Sequence, residues 1–291
     1  MILVVGSTGF LGGEICRRLV VAGKPVRGLV RSSSSPEKVE RLKAMGVQTV
    51  LGDLREPGSL REACRGIDAV ITTASTTISM QPGDSIPITD QQGQLELVKA
   101  AREAGVGRFI YISIPLSMED CPLTVAKRTV EKAIGTSGMV YTILHPCILM
   151  EVWLSPAIGF DYPNAKATIY GDGHSKNRFI SLGDVAQYAI DSLSNPAARN
   201  AAFELGHPQP LNFLEVVRIF EKTGGKSFEL QFVPEAALAA QRAASTDLLQ
   251  VSFATLMLNV AHGIHVDSSW ATKVFALPLV SVEDYARRVL G

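Results

Sequence analysis

An apolar run, Ile2 to Val5, ends in Gly6-Ser7-Thr8-Gly9-Phe10-Leu11-Gly12 and passes at once into an amphipathic stretch reaching Val21. This junction leaves the chain few folds to choose from. A buried strand that turns into a helix through glycines at this spacing uses the first for the sharp turn. The second lets backbone N–H groups approach a diphosphate, and the third lets the helix lie close on the sheet. The N–H groups and dipole of the helix start favour negative charge there. The alternation continues: Val26 to Val30, Gln48 to Leu51, Ala69 to Thr72, Phe109 to Ser113 and Tyr141 to Leu144 read as further strands. Between them lie helical patterns at Pro36 to Met45, Pro57 to Arg65, Asp90 to Glu103 and Leu123 to Ile134, with Gly23, Gly46, Gly66, Gly105 and Gly138 at the helix ends. Continuous apolar runs, rather than alternating ones, are what a parallel sheet covered on both faces requires. The expectation is an α/β, doubly wound parallel sheet with its ligand beyond the carboxyl ends of the strands.

Past about residue 150 the pattern loosens into loops carrying Trp153, Tyr162, Pro163 and Tyr170, followed by helical stretches at Leu182 to Leu193, Asn212 to Thr223 and Pro234 to Asn259. The expected division is a nucleotide-binding domain over 1–150 and a smaller C-terminal α+β substrate or cap domain over 151–291. The two partly interleave, with about 179–205 returning to the sheet.

Charge removes several classes of partner. The 291 residues carry 28 Lys+Arg against 28 Asp+Glu, a net charge of zero, and no basic block supplies the field that nucleic acid or an acidic membrane requires. The longest mostly apolar stretch, Leu248 to Ala261, is interrupted by Gln250, Ser252, Thr255 and Asn259 and falls short of the ~20 residues of a membrane span. Four scattered cysteines, Cys16, Cys64, Cys121 and Cys147, read as buried thiols of a reducing compartment, and the start lacks the pattern of an export signal, so a cytoplasmic location is expected. His262 and His265 have no evident third ligand, and no metal is expected.

Coenzyme choice is read at the end of the second strand. An NAD-preferring site places an acid about 20 residues past the glycines; here the strand ends Leu29-Val30-Arg31-Ser32. The planar fork of Arg31 suits a 2′-phosphate, with Ser32 or Ser33 as further donors, so NADPH is expected over NADH. Asp53 reads equally as an acceptor for the adenine amino group and as a cap for the next helix. Thr73 and Ala74, at the exit of the fourth strand, should border the coenzyme ribose.

With the glycine pattern stand Gly52-Asp53-Leu54, Gly93-Gln94-Leu95, Ala104-Gly105-Val106-Gly107-Arg108-Phe109, Lys127 with Val130-Glu131, Tyr141-Thr142-Ile143-Leu144-His145-Pro146, Phe179-Ile180-Ser181 and Asp184-Val185-Ala186. Through these, over nearly its whole length, the chain resembles the NmrA-like family of atypical short-chain dehydrogenases/reductases. The resemblance implies a Rossmann domain that binds NAD(P), with Leu54, Ser113, Lys127, His145 and Pro146 added to the coenzyme site. Ser113 occupies the place of a serine near the substrate carbonyl, and His145 stands where an arginine is expected. Ordinary short-chain dehydrogenases use Tyr-x-x-x-Lys, in which the lysine orients the nicotinamide ribose and lowers the tyrosine pKa. Here Leu123 occupies the tyrosine place. Lys127, the expected catalytic residue, then does the work itself, or a side chain of the cap does, or no reduction occurs. A surface ion pair with Glu131, four residues on, is the other reading of Lys127. Tyr162, Tyr170 and His174 are candidate acids, with Tyr111 behind them because it sits within a strand.

The first functional expectation is an NADP(H)-dependent reductase that passes a hydride to a small, mostly apolar planar acceptor such as a quinone, an enone or an imine. The alternative is an NAD(P)-sensing regulator or assembly protein, without turnover, that acts through a protein partner. A homodimer is compatible with both. A sugar-nucleotide epimerase or dehydratase ranks last, because those reactions rely on the absent tyrosine.

Overall fold

Each apolar run of the first half becomes a strand. A computed structural model describes residues 1–79 and 81–291. The elements run β1 (Ile2–Val5), α1 (Phe10–Val21), β2 (Val26–Val30), α2 (Pro36–Ala44), β3 (Gln48–Leu51), α3 (Pro57–Ala63), β4 (Ala69–Thr72), α4 (Thr76–Ser79), a π-helix (Ile86–Gly93), α5 (Gln94–Glu103), β5 (Arg108–Ile112), α6 (Pro122–Gly135) and β6 (Val140–Pro146). There follow β7 (Ile148–Leu149), α7 (Met150–Trp153), β8 (Phe160–Asp161), β9 (Lys166–Tyr170), β10 (Phe179–Ile180), α8 (Leu182–Asp191), β11 (Ala201–Leu205), α9 (Phe213–Gly224), β12 (Glu229–Val233), α10 (Glu235–Ala244), α11 (Leu248–His262), α12 (Ser269–Phe275) and α13 (Val282–Leu290). The chain forms two units: Met1–Ser113, Pro122–Leu144 and Val185–Phe203 make one, and Ile114–Cys121, His145–Asp184 and Glu204–Gly291 the other.

The first unit is built on a seven-stranded sheet in the order β11-β6-β5-β4-β1-β2-β3. Ile2 pairs in parallel with Val26 on one side and with Ala69 on the other, so the chain winds outward from β1 in both directions and reverses between β1 and β4. A crevice at such a reversal is where doubly wound sheets take ligands. The core joins Leu3 and Val5 to Val70, Phe109, Val130 and Ile134. Full burial of each such side chain contributes about 1.5–3 kcal/mol. The single helix expected over Asp90 to Glu103 begins earlier and changes type: eight residues of π-helix, opened by the Ser85 side chain accepting from Ile88 N at 3.3 Å, precede α5. Gly93 ends that segment against Leu54, where a Cβ would stand 2.7 Å from the Leu54 Cβ.

The second unit carries more regular structure than its sequence suggests. β8 and β9 pair antiparallel and β9 and β12 parallel, while Phe179–Ile180 pairs with Ile148–Leu149 in a separate two-stranded sheet. Within the stretch expected to return, about 179–205, the strand that joins the main sheet is β11. The expected helix from Pro234 to Asn259 is two helices: Ser245 leaves helical geometry, and the Asp247 carboxylate restarts the chain by accepting from Leu249 N at 2.8 Å and Gln250 N at 2.9 Å. A capping box opens α9, in which Asn212 and Glu215 exchange side-chain to backbone bonds at 2.8 Å each. Phe160, Phe220, Phe228 and Tyr285 pack edge-on or tilted at its centre. Among the described residues no helix is long and apolar enough to cross a membrane.

Candidate functional site

The turn between β1 and α1 is defined by what cannot fit there. Gly6 has φ +85°, and a Cβ on it would stand 2.6 Å from Thr73 Oγ1 and 3.0 Å from Ala74 N. The turn is thus pressed against the exit of β4, the two places that the sequence assigned to the coenzyme. At Gly12 a Cβ would lie 2.1 Å from the Gly6 carbonyl oxygen, so only glycine lets α1 start this close to the turn. Gly9 is extended at the N-cap of α1, with no side-chain cap competing for the first N–H groups of the helix. Ser7 is fully buried, its hydroxyl donating to the Leu29 carbonyl at 2.7 Å and binding the turn to β2. Leu11 and Leu54 are buried, whereas Phe10 is 70% exposed.

Beyond β2 and β3 two arginines are already engaged. Arg31 donates through one guanidinium nitrogen to both Asp84 oxygens, at 3.0 and 2.7 Å, so it is not a free loop cation. Ser33 donates to Gln81 at 2.6 Å, and Ser32 is exposed. Asp53 accepts from Arg55 N, Nε and Nη2 at 2.9, 3.0 and 2.7 Å, and the N-cap position of α3 falls to Glu56 instead. Burial alone would push the Asp53 carboxyl up, but the Arg55 hydrogen bonds and charge outweigh it and hold the group below the usual carboxylate range.

The lysine end of the unit is a buried polar cluster. Lys127 on α6 is only 4% exposed, which overturns the surface ion pair, and its Nζ donates to the Ile112 carbonyl at 3.3 Å and lies 5.2 Å from the centre of the Tyr111 ring. Burial pushes its pKa below the ordinary lysine value, against the pull of the Asp90 and Glu131 carboxylates. Asp90 sits on the π-helix, its Oδ2 accepting from Thr76 N at 3.1 Å and Thr76 Oγ1 at 2.5 Å. Among the described residues neither Asp90 Oδ1 nor the Tyr111 hydroxyl has a hydrogen-bond partner. Burial and the same two carboxylates raise the Tyr111 pKa well above its usual value, which makes it a poor proton donor. Ser113 N donates to the Leu144 carbonyl at 2.7 Å, and its hydroxyl donates to Glu131, which also binds Arg128 at 2.5 Å. Leu123 is buried in the same helix.

Sequence reasoning missed several of these groups. Gln94 ties α5 to the β4 exit, sharing a bond of 3.1 Å with Thr72 Oγ1 and donating to the Ala74 carbonyl at 3.0 Å; its place in Gly93-Gln94-Leu95 was the available signal. Asp84 and Asp90 gave none, since each owes its position to a partner far along the chain or to the π-helix, and Arg55 gave none although its main partner, Asp53, is two residues away.

In the second unit, His145 and Pro146 close β6, and His145 is buried. Tyr170 donates to the Ile158 carbonyl at 3.3 Å and is pushed up by burial. His174 is exposed. Tyr162 lines a cavity of about 440 Å³ with Phe220, Phe228 and Leu290. His262 lies 3.2 Å from Glu235 and 3.8 Å from Glu119.

The model of the NmrA-like family matches residues 1–286 of this chain. The chain is 32% identical over 231 residues to an NAD(P)H azoreductase of Xenophilus azovorans, covering 78% of this chain and 74% of that protein. It is 30% identical over 315 residues to the isoflavone reductase homolog IRL of Zea mays, covering 99% and 98%. The crystal structure of the Citrobacter sp. triphenylmethane reductase complexed with NADP(H) matches with a TM-score of 0.81 at 21% identity, covering 100% of both chains. Identity that low speaks for the fold alone.

Proposed function

The chain belongs to the NmrA-like family, and on that premise we propose that it is an NADP(H)-dependent reductase acting on a small, planar, mostly apolar acceptor. The observation that carries the reading is the turn at Gly6 and Gly12, where an added Cβ would stand 2.6 Å and 2.1 Å from its neighbours. A cradle with no room for side chains leaves backbone N–H groups to meet the diphosphate. The relatives named as an azoreductase and an isoflavone reductase homolog support the acceptor class.

Bound NADPH supplies the hydride. The residues of the chain hold the reactants and handle the proton. Arg31 takes the 2′-phosphate; Thr73 and Ala74, kept in place by Gln94, border the ribose. Lys127 holds a proton at Nζ, and because burial lowers its pKa, that proton is released more readily than from an exposed lysine. Lys127 is in this reading the catalytic acid, and the proton passes to the acceptor atom left electron-rich by hydride addition. Fixing acceptor and coenzyme in reacting geometry does the larger share of the work, since positioning removes about 7–11 kcal/mol of barrier in favourable cases.

The test is the loss of NADPH absorbance against a panel of azo dyes, quinones, enones and imines, with calorimetry for binding. Consumption with at least one acceptor class is expected. Leu123, buried where a proton-donating tyrosine would stand, favours a second reading, an NAD(P)-sensing protein without turnover. NADPH binding with no consumption across the panel would decide for it. No heat with any pyridine coenzyme would sink both.

A further inference from the structure

The pair formed by Arg31 and Asp84 bears on coenzyme choice. Asp84 lies in the segment leading into the π-helix, and its side chain is 1% exposed against 22% for Arg31. Three ties bind this segment to the exits of β2 and β3. Arg31 holds both Asp84 oxygens at 3.0 and 2.7 Å, Ser33 donates to Gln81 at 2.6 Å, and Arg55 Nη1 donates to the Pro82 carbonyl at 3.2 Å. Thr89 Oγ1 also donates to Asp84 at 3.4 Å, and Arg55 Nε lies 4.0 Å from its Oδ1. An internal carboxylate therefore sits on the guanidinium assigned to the 2′-phosphate.

Resting on the NADP(H) reading above, we propose that Asp84 is a specificity-determining residue. It occupies Arg31 as a stand-in for the 2′-phosphate, so the preference for NADPH over NADH is set by a competition between the two anions for one cation. Asp84 holds Arg31 through Nη1 alone, so a phosphate meeting the other guanidinium nitrogens would stand beside the Asp84 carboxylate, and the two like charges repel. A ligand carrying a 2′-phosphate must share Arg31 with Asp84 against that repulsion or draw it away. Arg55 is placed to take over part of the abandoned charge, although its main partner is Asp53. A ligand with a free 2′-hydroxyl brings no competing charge and leaves the internal pair intact. Asp84 thus holds down NADPH affinity and leaves NADH affinity nearly untouched.

The test uses calorimetry on the full chain with NADPH, NADH, 2′-AMP and 5′-AMP. Asp84→Asn should tighten NADPH and 2′-AMP about tenfold, the size expected when one close like charge is removed, and shift NADH and 5′-AMP by less than about twofold. Gln81→Ala breaks the neighbouring tie to Ser33 without touching either charge. It should tighten the 2′-phosphate ligands by about two- to threefold. The proposal is overturned if a folded Asp84→Asn protein keeps the wild-type ratio of NADPH to NADH affinity or lowers it. If melting shows that Asp84→Asn does not fold, an unchanged ratio in Gln81→Ala overturns it instead. Wild-type protein that binds neither coenzyme would defeat the NADP(H) reading itself, a different outcome from an unmoved ratio.

Discussion

The two ends of the first unit are made of different material. At the β1–α1 turn the surface proposed to meet the coenzyme is backbone, and the side chains matter by being missing: Gly6 and Gly12 leave no space for a Cβ. At the α6 end the candidate groups are side chains, Lys127, Asp90, Tyr111, Ser113 and Glu131, drawn from a π-helix, a strand and a helix into a buried polar cluster. The turn tolerates no added atom but carries no charge to lose. The cluster has room for side chains but depends on its charges. The two should fail in different ways when mutated.

The largest separation should come from neighbouring glycines. Gly12→Ala puts a methyl 2.1 Å from the Gly6 carbonyl oxygen, whereas Gly13→Ala meets nothing nearer than 3.5 Å. The first should cost about 2–4 kcal/mol of stability and roughly 100-fold or more in coenzyme affinity. The second should stabilise α1 by about 0.5–1 kcal/mol with binding unchanged. Thermal melts and calorimetry on both proteins check this, and equal losses would show that the turn is not built as described.

Lys127→Met should fail differently. An apolar chain of similar length fills the space of the lysine stem but leaves the Asp90 carboxylate buried without that cation, so the melting temperature should fall while coenzyme affinity stays close to wild type. Turnover should fall about 100-fold or more. A large drop in stability with turnover retained would move Lys127 out of the chemistry.

Asp90→Asn has a smaller effect with a definite sign. The Asp90 carboxylate favours the Lys127 ammonium and so opposes the downward push of burial. Removing it lets the lysine lose its proton at lower pH, so the alkaline limb of the rate profile should move toward acid, with a loss of about three- to tenfold at the plateau. A limb that stays in place would separate Asp90 from Lys127.

The smallest effect is a readout of docking. Cys16 on α1 has no exposed surface, and burial pushes its thiol up to about 12; Cys64 goes to about 11 and Cys147 to about 12. Native protein at pH 9 should therefore react slowly with alkylating reagents, and Gly12→Ala should expose Cys16 first. Since the folded pKa values are raised, the stability they contribute is complete below about pH 9 and is lost as pH rises toward 11–12. The slope is at most about 1.4 kcal/mol per pH unit for each thiol. Urea midpoints between pH 8 and 10 measure it.

Much of the first unit was legible in the chain. β1 to β4 begin and end where the apolar runs do; β1, β2 and β4 are buried almost throughout and so must be continuously apolar, whereas β3 is the exposed sheet edge, and the glycines that end helices are visible one by one. The second unit was less so. β7, β8 and β10 are two residues each, too short for any periodicity, and the break at Ser245 depends on Asp247 acting as a cap inside an otherwise helical composition. Of the charged groups, Arg31 and Lys127 were singled out by their positions in the chain. Their neighbours were not, since the Asp84 that holds Arg31 is 53 residues away and the Ile112 carbonyl that receives Lys127 is 15 residues away.

The sequence alone determined the sheet, its winding and the place of the glycine turn, because each follows from local periodicity and from glycine's lack of a Cβ. Tertiary structure alone decided which charges face one another. Whether Arg31 stands open or is held by Asp84, and whether Lys127 meets water or is buried near Asp90, is set by the distance between groups that only the folded chain brings together. Electrostatic interactions depend on that distance and on burial, neither of which spacing along the chain encodes.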